Sequence, residues 1–235
     1  MRLRIIFSKF GTLRYVGHLD LQTIWERTLR RAGLPLAYTQ GFHPGPKIQI
    51  ASALPLGFIG HAEIVDIWLQ EGWAGLVPAQ GDQSPQNGGE GHPFMHILQP
   101  AAPPGLGILS VEQVDEGGPS LQTQVVSAEY EVTLLDPLDE MDLAQRMVIA
   151  LRAESLPRQR RGKPYDLRPL IESLSLPPFS GKMGGAGGGQ VKVFMRLAAR
   201  EGATGRPEAV LDVLGIPFEA TRIERTRLIL KTEIE

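Results

Sequence analysis

His18, Asp20, His43 and Lys47 are the side chains best suited to chemistry in this sequence, and all fall within residues 15–47, YVGHLDLQTIWERTLRRAGLPLAYTQGFHPGPK. A histidine close to a carboxylate can be tuned for proton transfer near neutral pH, so His18 and Asp20 form a candidate acid/base pair. The same residues also fit a structural assignment, in which Asp20 caps a helix and His18 hydrogen-bonds within the preceding turn. No G-x-S-x-G nucleophile elbow accompanies them, which argues against a hydrolase triad.

Other chemistries have weaker support. The five histidines all precede residue 97, and His92 and His96 have a helical ligand spacing. Pro93 and the neighbouring glycines argue against a helix there, so no metal site is expected. The sequence contains no cysteine, which excludes disulfides, thiolate nucleophiles and any iron–sulfur cluster held by the chain's own thiolates. Neither GFHPGPK nor SLPPFSGKM is a Walker loop, because the required glycine and hydroxyl positions are not met. No cofactor is expected of this chain.

GFHPGPK reads better as a shaped loop. Gly41 and Gly45 let backbone N–H groups turn outward, the prolines stiffen the passage and Lys47 adds charge, so the loop could hold a phosphate or carboxylate, or serve only as a rigid turn. Lys9, Arg14, Arg30, Arg31 and Lys47 are interleaved with Tyr15, Tyr38, Phe42 and His43. That mixture is expected where charge tracks a nucleic-acid backbone and rings stack on bases, and equally where ion pairs and core packing use the same residues. A second basic stretch, RQRRGK, holds Arg158, Arg160, Arg161 and Lys163. It reads as a loop able to neutralise several phosphates, or as a solvated one.

Charge is segregated along the 235 residues: eight basic against two acidic in residues 1–47, no Lys or Arg but fourteen acidic in 48–145, then sixteen basic against ten acidic. Basic ends flanking an acidic middle can mark surfaces for polyanions or partner proteins. No apolar run approaches membrane-spanning length and MRLRIIFSKF lacks a signal-peptide core, so a cytoplasmic protein without membrane attachment is expected.

The elements that must position these residues follow from periodicity. RLRIIF alternates as a strand, with Leu3 and Ile5 on one face. Leu21, Ile24, Trp25, Leu29 and Ala32 mark an amphipathic helix over residues 21–32, capped by Asp20 and stopped by Gly33 and Pro35. IQIASALPL and AEIVDIWLQ read as strands, residues 71–94 as a flexible loop, and GILSVEQV and SLQTQVVSAEYEVTLLD as further strands. PLDEMDLAQRMVIALRAE reads as a helix with Pro137 near its first turn and Leu143, Met147, Ile149 and Leu151 buried. DLRPLIESL reads as a short helix, residues 181–189 as a glycine-rich loop, VKVFMRLAAR as a strand, RPEAVLDVLG as a helix and EATRIERTRLILKTEI as a closing strand. The order predicts an α+β protein of two ferredoxin-like (split β-α-β) lobes with antiparallel sheets, residues 1–127 and 128–235.

The stretch FSKFGTLRYVGHLDL…RRAGLPLAYTQGFHPGPKIQIASALPLG resembles the signature of the radical-SAM-linked protein family, a bacterial domain of unknown function. The similarity continues through AEIVDIWL, GILSVEQV, AEYEVTLL and YDLRPLIESL. Members are encoded beside, or fused to, a cobalamin-binding-type radical SAM protein, so the resemblance implies a radical SAM protein as partner. The matched positions include His18, Asp20, Arg30, Arg31, Gly41, Phe42, Pro44, Pro46 and Lys47. Residues 71–94 depart from the family's usual helix and acidic segment after the third strand. A radical SAM enzyme needs three thiolates for its cluster, so a chain without cysteine would be the companion and not the enzyme. These observations lead to the expectation of a non-catalytic companion that presents RNA. The alternatives are an enzyme using His18 and Asp20 on an anionic substrate, and an adaptor whose acidic middle binds the partner.

Overall fold

The computed structural model describes residues 1–70, 93–177 and 190–233. The chain divides into two compact units, Met1–Gln124 and Val125–Glu235. Both combine α-helices with strands that pair antiparallel. The glycine-rich 181–189 stretch and most of the 71–94 passage lie outside the described residues.

Unit 1 contains β1 (Arg2–Lys9), α1 (His18–Arg31), β2 (Ile48–Ile50), β3 (Ile59–Trp68), α2 (Pro93–Ala101), β4 (Leu106–Val114) and a short α3 (Leu121–Gln124). β1 lies between β4 and β3, and β2 pairs with the other side of β3. Strand alternation sends Leu3, Ile5 and Phe7 of β1 and Val65 and Ile67 of β3 into one apolar cluster with Leu21, Trp25 and Leu29 of α1 and Phe94 and Leu98 of α2. Phe7 meets Trp25 edge to face, 4.9 Å between ring centroids at 76°. The helical stripe at spacings of three and four is therefore the core face of α1.

α1 begins three residues before the predicted start. Gly17 is its N-cap and Leu21 N–H donates to the Gly17 carbonyl at 2.9 Å, which places Asp20 in the first turn and not at the cap. An acid suits either place, because both face the exposed N–H groups of the helix start. At the other end, Gly33 takes φ +70°, with Gly33 N–H donating to Arg30 and Leu34 N–H to Leu29, the Schellman pattern that closes a helix on glycine.

α2 corrects the reading of Pro93 as a helix breaker. Pro93 opens the helix, where a missing N–H costs nothing, and His96 lies within it, while His92 is outside the described residues. A helix thus does stand between β3 and β4.

Unit 2 contains β5 (Val125–Leu134), α4 (Glu140–Arg152), β6 (Pro157–Arg160), β7 (Lys163–Asp166), β8 (Ile171–Ser175), β9 (Lys192–Arg200), β10 (Ala203–Thr204), α5 (Pro207–Val213) and β11 (Thr221–Leu230). β5 lies between β11 and β9, and β8 and the short β10 pair with the other side of β9. Asp139 caps α4, accepting from Met141 N–H at 2.7 Å and Asp142 N–H at 3.3 Å. Leu143, Met147 and Ala150 form its buried stripe, whereas Ile149, predicted to be inside, is 64% exposed.

Two predictions around the basic stretch are corrected. RQRRGK is not an irregular loop: it is the β6–β7 hairpin, turning at Arg161 (φ 51°) and Gly162 (φ 76°). Positive φ at both turn residues defines the tight two-residue turn that matches strand twist. DLRPLIESL is not a helix: Arg168–Leu170 make one 3-10 turn and the chain enters β8.

Candidate functional site

His18 and Asp20 are separated in role by the geometry of α1. His18 is the first helical residue, half-buried, with its Nδ1 buried and without a hydrogen-bond partner. Asp20 is exposed, and its Oδ2 turns back over Gly17, 3.7 Å from where a Cβ on that glycine would stand. No hydrogen bond joins the two side chains. Asp20 therefore acts on the helix start, and Asp20→Asn is expected to lower stability by about 0.3–1 kcal/mol through the lost charge–dipole term. Urea unfolding of D20N beside H18Q measures this, and an unchanged midpoint in D20N would contradict the role at the helix start.

The unit 1 cations are mostly engaged within the fold. Lys9 is 1% exposed and its Nζ donates to the Val16 carbonyl at 2.8 Å, so the predicted phosphate contact at Lys9 is corrected: strand alternation from Leu3, Ile5 and Phe7 carries it inward. The Arg14 guanidinium stacks over the Tyr15 ring at 4.6 Å and hydrogen-bonds its hydroxyl. Arg30 pairs with Glu26 at 2.8 Å and donates to the Tyr38 hydroxyl at 2.9 Å. Arg31 donates to the Ala101 carbonyl at 2.8 Å, tying α1 to the end of α2. Lys47 sits 4.4 Å above the Trp68 ring, an attraction of the cation for the ring face.

The GFHPGPK loop is closed on itself. Thr39 N–H donates to the Gly45 carbonyl at 2.8 Å, Gly45 N–H to Thr39 Oγ1 at 3.1 Å, and Lys47 N–H to the Ala37 carbonyl at 2.8 Å. The amides of Gly45 and Lys47 are thus used to build the loop instead of receiving an anion, and Pro44 and Pro46 have none to offer. What the loop presents is its tip, where Phe42 is fully exposed and His43 is exposed beside it.

The basic stretch of unit 2 is arranged differently. Arg160 and Lys163 form the rung next to the hairpin turn and Arg158 and Tyr165 the rung two residues back, so alternation places these four side chains on one face. Arg158 is paired with Asp212 of α5 at 3.3 Å. Arg160, Arg161 and Lys163 are exposed, and among the described residues none of them has an ion-pair partner. Together with Tyr165 and Thr204 they line a hollow of about 430 Å³ between the hairpin and the β9–β10 turn.

Asp166 mounts the hairpin. Its Oδ1 accepts from Leu156 N–H at 2.8 Å and Arg168 N–H at 2.9 Å, one on each side of the hairpin base, and Leu167 N–H donates to the Leu156 carbonyl at 3.0 Å. Those two N–H donors, Leu156 first, hold its pKa below the ordinary carboxylate value. A depressed carboxylate pKa contributes stability that is complete above the unfolded-state value of 3.8 and is lost as pH falls through the lower folded value. Protection of the Leu156 and Arg168 amides relative to their intrinsic exchange rates is accordingly expected to hold at neutral pH and to fall below that value, and Asp166→Ala to lower it at neutral pH. Unchanged exchange in D166A would contradict the mounting role.

Of the predicted site residues, the structure brings Arg160, Arg161 and Lys163 together, keeps Arg158 on the same face and leaves Phe42 and His43 on a separate unit 1 loop. Sequence reasoning missed Tyr165, Thr204 and Asp166. Alternation across RQRRGKPYD would have found Tyr165, two residues beyond Lys163, but the glycines of REGATG gave no sign that Thr204 faces the hairpin.

Fold and site together define an α+β protein of two antiparallel units that carries a basic hairpin on which Arg160, Arg161 and Lys163 have no ion-pair partner among the described residues. A family model described as uncharacterized protein conserved in bacteria (DUF2344) matches residues 2–207, from β1 to the first residue of α5, and the chain belongs to that bacterial family. No curated protein matches the chain.

Proposed function

We propose that the chain is a non-catalytic RNA-binding companion of a radical SAM enzyme, built from two ferredoxin-like lobes. The lobe reading is supported by a shared plan: in each unit the order is strand, helix, two strands, helix, strand, with the first strand flanked by the third and the fourth. The short α3 in unit 1, and the β6–β7 hairpin and the two-residue β10 in unit 2, are added to that plan. The partner rests on the resemblance of the HLDL and GFHPGPK motifs and on the missing cysteines.

The observation that carries the RNA reading is the hairpin face, where Arg160, Arg161 and Lys163 stand unpaired beside Tyr165. Cations in excess over acidic neighbours attract phosphates, and a ring among them offers a stacking surface that accepts any base. On unit 1, taken by itself, Phe42 and His43 are exposed at the tip of the GFHPGPK loop. No helix among the described residues is long and apolar enough to cross a membrane.

The experiment is capture of the full chain from native cells, with sequencing of bound RNA and mass spectrometry of bound proteins. The expected result is RNA enriched over an R160Q/R161Q/K163Q variant, with a radical SAM protein among the proteins. Equal RNA recovery by both forms would overturn the RNA reading, and absence of a radical SAM protein would overturn the companion reading.

A further inference from the structure

The geometry points to a narrower ligand for the hairpin hollow, resting on the RNA reading: a single nucleotide carrying a terminal phosphomonoester, at the end of a strand or free. Three features of the hollow carry this.

The first is charge. Arg160 and Lys163 face each other directly across the rung beside the turn, and like charges so placed destabilise a hairpin. Arg158, on the same face, has Asp212 at 3.3 Å, but among the described residues no acid is paired with Arg160, Lys163 or the adjacent Arg161. An anion between the two strands removes that repulsion. Three cations against the single carboxylate of Asp166, itself occupied by Leu156 N–H and Arg168 N–H, leave an excess of two positive charges. A phosphomonoester carries about −1.5 to −2 at neutral pH, against one negative charge for each phosphodiester of a strand interior.

The second is shape. The hollow measures about 430 Å³ and is bounded by the hairpin on one side and the β9–β10 turn on the other. That volume falls within the range of small-molecule sites.

The third is the pairing of chemistries. Tyr165 lies on the same face two residues back from Lys163, so a phosphate held between Arg160 and Lys163 places its nucleoside towards the ring, with Thr204 also lining the hollow. Asp166 fixes the hairpin base, so the cations are presented on a preformed mount.

The test uses the full chain and an unstructured RNA of about eight nucleotides, bearing a 5′-phosphate, a 3′-phosphate or hydroxyls only and labelled at the opposite end, with adenosine monophosphate titrated separately. The expected result is binding about tenfold tighter for a phosphorylated end, since one charged hydrogen-bonded contact is worth that much. The preferred end identifies which phosphate is read. The preference is expected to vanish in R160Q and in K163Q, each with a melting temperature at or above that of the unaltered chain because a like-charge contact is removed. Equal affinity for phosphorylated and hydroxyl ends, or a preference that persists in both variants, overturns this inference and leaves the RNA reading intact. Binding of adenosine monophosphate without RNA overturns the RNA reading and upholds the nucleotide site; binding of neither overturns both.

Discussion

Replacing Asp66 by alanine is expected to destabilise unit 1 by about 3–5 kcal/mol, the cost of leaving buried cations without their counter-charge. Asp66 is fully buried, accepting from Arg2 Nε at 2.9 Å and Nη2 at 2.6 Å and from Arg4 Nε at 2.9 Å and Nη2 at 3.0 Å. The two arginines are 2% and 9% exposed. Arg2 also donates to the carbonyls of Asp115, Gly118 and Pro119 and lies 4.9 Å from the Trp68 ring centre, so the triad holds the chain after β4 against the sheet. Denaturant unfolding of the full chain measures the loss, read on the transition that Trp25 and Trp68 report. Asp66→Asn is expected to lose less, and conversion of all three residues to apolar ones less still, because no charge then remains buried. A loss below about 1 kcal/mol for D66A would show that water or another group compensates the arginines.

The R160Q/R161Q/K163Q variant is expected to lose about a thousandfold in affinity for unstructured RNA, each charged contact contributing about tenfold. By contrast, Arg30→Gln and Arg31→Gln are expected to change binding little, because Arg30 already serves Glu26 and Tyr38 and Arg31 the Ala101 carbonyl. Lys47→Gln should act mainly on stability, through the Trp68 contact. The sequence alone does not rank these cations, since it shows charge and motif but not which cations the fold has consumed. Fluorescence anisotropy of the variants side by side tests the ranking. A larger loss at Arg31 or Lys47 than at the hairpin would move the interface to unit 1.

Much of the core was legible because periodicity reports burial. The stripe Leu21, Trp25 and Leu29 and the alternation Leu3, Ile5 and Phe7 are both found inside. The same alternation already pointed Lys9 inward, and its reading as a surface cation came from charge type overriding strand phase.

The failures have identifiable causes. Leu167, Leu170, Ile171 and Leu174 fall at the helical spacing of i, i+3, i+4 and i+7, yet Pro169 interrupts the pattern and the segment pairs with β9. A bulge between Ile171 and Ser173 shifts the strand phase, so Ile171 and Leu174 are both buried at an odd spacing. RQRRGK looked irregular because its turn depends on a non-glycine residue, Arg161, at positive φ, which composition does not signal. Asp20 was assigned to the cap because its residue type fits, whereas the fold begins α1 at His18 and leaves the cap to Gly17. Local type and period locate elements; tertiary pairing decides where they start and which charges stay free.

The central claim, that the β6–β7 hairpin grips phosphates, is tested most directly by the salt dependence of RNA binding. Affinity of the full chain for an unstructured single strand is measured from about 50 to 200 mM salt and compared with R160Q/R161Q/K163Q. With a slope of about −0.7 per neutralised phosphate on single strands, removing three contacts is expected to make the log–log slope shallower by about 2. Parallel slopes for the two proteins, or a flat response in the unaltered chain, would contradict the claim.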